Sequence, residues 1–226
     1  MEGIYHCGFG ALHVAGRPDQ LMPIFDTLKN LPLRVLIDTA RAYGNSEKEI
    51  GNWMKKNIVF REKFFIVSKI GITNDPFSPY INEPQTILKD ALFSIKQLKT
   101  NPDALLLHRL DPNKTLAEIG SLYQILSELK QNGTIKYIGV CECTSTQLEY
   151  LAENYGVDFI ELAYSPFTRR AEKNAVCDVI KKYNIFTIAY STALRGLLNP
   201  IILDLIEMDW ILDFFDILLF CCVILM

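Results

Sequence analysis

Short apolar, β-branched runs recur along the chain: Val35–Ile37, Phe64–Ser68, Ala104–Leu107, Tyr137–Val140, Phe159–Leu162 and Ile185–Ala189. Longer stretches with helical spacing separate most of them, such as SEKEIGNWMKKN, EPQTILKDALFSIKQL, TLAEIGSLYQILSELKQNG, STQLEYLAENYG and NAVCDVIKKYN. Punctuation supports this division. Ser46 followed by Glu49 reads as a capping box. Thr144 or Ser145 can cap the helix that holds Leu148 and Leu151. Gly133 and Gly156 stand where a helix should end with positive φ. With GFGAL near the start as a further strand, the pattern predicts seven strands in βαβ units and a parallel sheet.

A parallel sheet with so many repeats is doubly wound or closes into a (β/α)8 barrel. GFGALHVAG has two glycines of a dinucleotide fingerprint, then Leu12 where the third is needed. This favours the barrel, in which chemistry gathers at the C-terminal ends of the strands. The second run ends on Asp38, the third on Lys69, the fourth on His108 and the fifth on Cys141 and Glu142. Tyr43 follows in the loop after Asp38. Each has a plain structural use alone: a capping acid, a solvated lysine, a core histidine, a packing tyrosine. Together they place a carboxylate, an ammonium, an imidazole and a phenol on one rim. A carboxylate keeps a neighbouring lysine charged, and that charge beside a phenol is expected to lower the phenol's pKa. Such a tyrosine can hand a proton to a carbonyl oxygen, and a histidine can orient that carbonyl. No side chain donates hydride, so a nicotinamide or similar cofactor is implied.

Composition narrows the class. The 226 residues carry a formal net charge of −3, which gives no electrostatic footprint for nucleic acid. The six cysteines, Cys7, Cys141, Cys143, Cys177, Cys221 and Cys222, form no C-x-x-C pair, so free thiols in a reducing, cytoplasmic setting are expected. The three histidines form no metal-ligand pattern, and MEGIYHCGFG is not a signal peptide. Residues 201–226 are very apolar and lack any basic residue. A membrane anchor there is disfavoured: Ile217–Met226 is short of the roughly 20 residues needed, and extending it brings in Asp216, Asp213 and Asp209. Packing in the core or in an interface fits better.

The stretches GFGAL, LIDTARAYGNSEKEIG, VSKIG, LLLHRLDPN, NGTIKYIGVCECTSTQLE, ELAYSPF and AYSTALRGLL cover residues 8–198. In order and spacing they resemble the aldo-keto reductases, (β/α)8-barrel enzymes that use NADPH or NADH, and most of all the branch with pyridoxal-reductase-like and YakC-like members. The resemblance implies reduction of small aldehydes and ketones. Asp38, Tyr43, Lys69 and His108 would be the catalytic set, with Tyr43 as general acid. Tyr190 would stack on the nicotinamide. Cys141, Glu142 and Glu161 would contact its carboxamide, with Cys141 in place of the usual serine. Ser191, Leu194 and Arg195 would lie along the pyrophosphate, and Thr192 stands where proline is common.

The resemblance stops near Leu198. A truncated barrel over residues 1–198 is therefore expected, followed by a tail over 199–226. Strand eight and the pocket for the adenosine 2′-phosphate would be missing. Seven strands leave two open edges, which the tail, with LLFCCVIL as a substitute strand, or self-association would cover. A second reading follows, an inactive barrel remnant that serves as an interaction protein. A third is a lyase that uses Lys69 as a Schiff base.

Overall fold

The computed structural model describes residues 8–12 and 16–192 in full and the backbone of 224–225. Seven parallel strands lie in chain order: β1 (Gly8–Gly10), β2 (Val35–Asp38), β3 (Phe64–Ile70), β4 (Ala104–Leu107), β5 (Tyr137–Cys141), β6 (Phe159–Ala163) and β7 (Phe186–Tyr190). The helices are α1 (Pro18–Leu28), α2 (Ser46–Lys56), α3 (Pro84–Leu98), α4 (Leu116–Gln131), α5 (Ser145–Tyr155), α6 (Arg170–Lys173) and α7 (Val176–Tyr183). The architecture is an incomplete (β/α)8 barrel, a curled parallel sheet with helices outside. A two-residue strand, β8 (Ile224–Leu225), runs antiparallel beside β7. It falls within the LLFCCVIL stretch expected to supply a substitute strand.

Alternation along each strand sorts the core into two layers, because successive side chains point to opposite faces. Leu36, Phe65, Val67, Ala104, Leu106, Phe159 and Ile188 fill the concave side. Four rings close the lower end of that layer, Phe65, Tyr137, Phe159 and Phe186, with neighbouring centroids 5.6–5.8 Å apart. The intervening residues face the helices. Val35, Ile37, Phe64 and Ile66 meet Phe25 of α1 and Trp53 of α2, while Leu105, Leu107, Ile138 and Ile160 pack under α4, α5 and α7.

The expected caps divide. Thr144 caps α5, accepting from Gln147 N while the Gln147 side chain returns to Thr144 N. Gly133 and Gly156 have φ of +78° and +73°. Ser46 is not a cap: Asn45 holds that position without a side-chain bond, and the Ser46 hydroxyl pairs with Thr39 Oγ1 at 2.9 Å. Burial turned this serine inward, against the strand end that leads into the loop of Tyr43. Helix α1 has no counterpart in the sequence reading. Pro18 starts it, as proline favours the first helical turn, but Pro23 inside it masks the periodicity.

Candidate active site

The alternation that builds the inner core also aims the rim. Asp38 lies two residues beyond inward-facing Leu36, Lys69 two beyond Val67, and His108 two beyond Leu106. Glu161 lies two beyond Phe159, and Tyr190 two beyond Ile188. Cys141 belongs to the inner layer itself, as the register partner of Glu161. A period of two therefore delivers six polar side chains from six strands to one end of the barrel. Lys69 falls one residue short of the end of β3, and His108 one residue past β4.

Asp38, Tyr43, Lys69 and His108 come together. Lys69 is 1% exposed, and its ammonium donates to Asp38 Oδ1, to Thr39 O at 3.1 Å and to the Tyr43 hydroxyl at 3.5 Å. The His108 imidazole meets the Tyr43 ring edge-on, with centroids 5.5 Å apart. Its Nδ1 is buried without a hydrogen-bond partner.

Charge at this cluster follows from burial and neighbours. Burial alone would lower Lys69, but Asp38 and Glu161 hold its ammonium well above the ordinary lysine range. Burial, then Lys69 and Arg109, pushes His108 down to about 3, so the imidazole is neutral. The expected lowering of Tyr43 does not occur. Burial outweighs Lys69, and the charges of Asp38 and Glu161 add to it, so the phenol is pushed up to about 12. Tyr43 thus holds its proton at neutral pH. The two carboxyls that favour the Lys69 ammonium also speak against the Schiff-base reading, which needs a free amine.

The residues expected at the cofactor divide into two groups. Cys141 and Glu161 sit inside, with Glu161 Oε2 3.3 Å from Lys69 Nζ. Burial pushes the Cys141 thiol well up. Glu142 and Tyr190 sit outside: Glu142 Oε1 accepts from the Tyr190 hydroxyl at 2.9 Å and from Ala163 N at 2.6 Å. Ser191 follows with φ +54°. Leu194 and Arg195 lie outside the described residues.

Arg109 joins this candidate group, and sequence reasoning missed it. It follows His108 directly, and its Nη2 donates to the Tyr190 hydroxyl at 3.5 Å. The signal was its place in LLLHRLDPN, one residue past a strand end. Beside this group opens a cavity of about 770 Å³, reached by Arg109, Glu142 and Tyr190 and floored by Ile160 and Leu162. None of Asp38, Tyr43, Lys69 and His108 lines this cavity. Among the described residues there is no cluster of three metal-ligating side chains, and no helix long and apolar enough to cross a membrane.

Three comparisons bear on this arrangement. An aldo-keto reductase of Gibberella moniliformis is 32% identical over 161 residues, covering 70% of this chain and 48% of that protein. The aldo-keto reductase yakc [NADP(+)] of Schizosaccharomyces pombe is 28% identical over 163 residues, covering 70% and 47%. The chain spans about half the length of the curated relatives it matches. The glycerol dehydrogenase of Gluconobacter oxydans superposes with a TM-score of 0.75 at 22% identity, covering 86% of this chain and 62% of that one, which speaks to the fold alone. The model of the aldo/keto reductase family matches residues 10–204, from the first strand past the last described residue of β7's loop, and with that span the chain belongs to the aldo/keto reductase family.

Proposed function

We propose that this chain carries the carbonyl-reducing site of an NADP-dependent reductase that takes small aldehydes and ketones to alcohols. The observation that supports it is Tyr43, a protonated phenol whose oxygen receives a hydrogen bond from the Lys69 ammonium. Because that oxygen accepts from Lys69, its own proton points elsewhere and is available to a carbonyl oxygen. Asp38 fixes Lys69, and neutral His108 packs against the Tyr43 ring, where an imidazole N–H can hold the same carbonyl. As the carbonyl oxygen gains charge, the ammonium stabilises the phenolate that Tyr43 becomes.

The residues present fit a nicotinamide. Tyr190 offers a half-buried ring at the end of β7, and Glu161 and Cys141 line the interior beside it. When bound, that group supplies the hydride that no side chain here can give. NADP follows the name of the Schizosaccharomyces pombe relative, whereas a methylglyoxal reductase of Escherichia coli, 29% identical, is named NADH-specific, so the titration compares both cofactors.

Titration of the 226-residue chain with NADPH and with NADH, read by quenching of Trp53 or Trp210 fluorescence, tests the reading when followed by aldehyde-dependent oxidation of the cofactor. Low-micromolar binding with turnover supports it. No binding would leave the second reading, a barrel that serves as an interaction protein.

A further inference from the structure

The carboxyls around Lys69 outnumber its charge. An ammonium has three N–H donors. Here they go to Asp38 Oδ1, Thr39 O and the Tyr43 hydroxyl. Glu161 Oε2 lies 3.3 Å from the same Nζ as an ion-pair partner, but makes no aligned hydrogen bond there. The three charged side chains are sealed: Lys69 is 1%, Glu161 4% and Asp38 7% exposed. Two carboxylates with one ammonium would leave a net negative charge out of water, with an oxygen unsatisfied. Such a charge is costly, and the ordinary relief is to keep a proton.

We propose that Asp38 and Glu161 hold one proton between them at neutral pH, and that Glu161 is a positioning residue whose neutral form leaves the Lys69 ammonium free to act on Tyr43. The two carboxyls lie within hydrogen-bonding reach of each other. A neutral Glu161 donates its O–H to Asp38, and Asp38 keeps its ionic hold on Lys69. The field at the Tyr43 hydroxyl is then that of one ammonium and one carboxylate. Loss of the shared proton places a second negative charge beside the phenol and binds the phenolic proton more tightly.

The surroundings of Glu161 agree. Asp38 faces it from β2, Lys69 from β3 and the Cys141 thiol from β5, with Tyr43 above Lys69 and His108 and Arg109 at the end of β4. On the β7 side its register partner is apolar Ile188, followed two residues on by Tyr190. Burial and Asp38 push Glu161 up to about 8 against the pull of Lys69. Burial raises Asp38 as well, despite Lys69.

The effect on turnover rests on the reductase reading. The shared proton does not, because it belongs to the chain without cofactor. Infrared difference spectra of the cofactor-free chain at neutral pH, wild type minus Glu161→Gln and wild type minus Asp38→Asn, read it directly. Subtraction cancels Glu47, another buried acid whose carboxyl burial raises. Each difference is expected to show loss of one carboxylic-acid C=O band. Loss of a carboxylate band from both sites, with no acid band, overturns the proposal. Should either variant fail to fold by circular dichroism, carboxyl-labelled NMR of the wild type decides. One side-chain carboxyl titrating well above the ordinary range and in contact with Lys69 is expected, and its absence overturns the proposal. If the chain also turns over, the wild-type rate should fall as Glu161 ionises, and Glu161→Gln should lose that limb.

Discussion

The imidazole of His108 stands edge-on to the ring of Tyr43, with planes at 76° and centroids 5.5 Å apart. Nδ1 is buried without a partner, and burial, then the charges of Lys69 and Arg109, keeps the imidazole neutral. Folded His108 takes up its proton near pH 3, while the unfolded residue does so near 6.5. The unfolded chain therefore binds more protons between those values, and stability falls as pH drops from about 6.5 towards 3. Urea midpoints across that range should decline less steeply in His108→Gln than in the wild type. Parallel declines would show that the imidazole is solvated.

Glu161 works in the opposite direction. Its folded carboxyl titrates at about 8 against 4.5 in the unfolded chain, so its contribution is complete below 4.5 and is lost as pH rises through 8. Glu161→Gln should gain on the wild type in urea midpoint as pH rises across that window. A constant gap between the two would contradict the assignment.

At the opposite end of the barrel Asp103 gathers the strand starts. Its Oδ2 accepts from Arg61 Nη2 at 2.8 Å and from Ile66 N at 2.9 Å, while Lys136 lies 3.3 Å and Arg34 3.7 Å from Oδ1. The acid is 1% exposed and sits far from the reacting rim. Asp103→Ala leaves the buried Ile66 N–H without its acceptor and removes the ion pair with Arg61, at a cost of about 3 kcal/mol. Equilibrium unfolding should show that loss, with Asp103→Asn keeping part of it because the amide oxygen still accepts from Ile66.

Gly51 sets how closely α2 approaches α3. A Cβ there would stand 2.1 Å from Gln97 O and 2.7 Å from Leu98 C, both backbone atoms with no freedom to turn aside. Gly51→Ala should raise helix propensity yet destabilise the chain, by about 1–3 kcal/mol or more, since overpacking outweighs the propensity gain. A higher melting temperature for Gly51→Ala would show that the two helices sit further apart.

Much of this was legible because strands and rim share one rule. Ala104–Leu107 begins and ends where its apolar run does, and the polar residue at or after each run sits at the rim. What stayed hidden was non-local. No local pattern shows that Glu161, 92 residues from Lys69 by their numbers (161 − 69), shares its ammonium with Asp38. The direction of the Tyr43 pKa is hidden for a related reason: a sequence shows the lysine but not the burial that outweighs it. Ser46 carried a helix-start signal that the buried contact with Thr39 overrode. Pro23 hid α1 by interrupting its spacing.

In the proposed reaction Tyr43 delivers the proton while other groups hold the cofactor. The most direct measurement of that role compares wild type and Tyr43→Phe in NADPH binding and in aldehyde-dependent NADPH oxidation. Unchanged binding and a rate lowered by about 10²–10⁴-fold, the usual worth of a positioned general acid, are expected. An unchanged rate in Tyr43→Phe, with binding intact, would contradict that role.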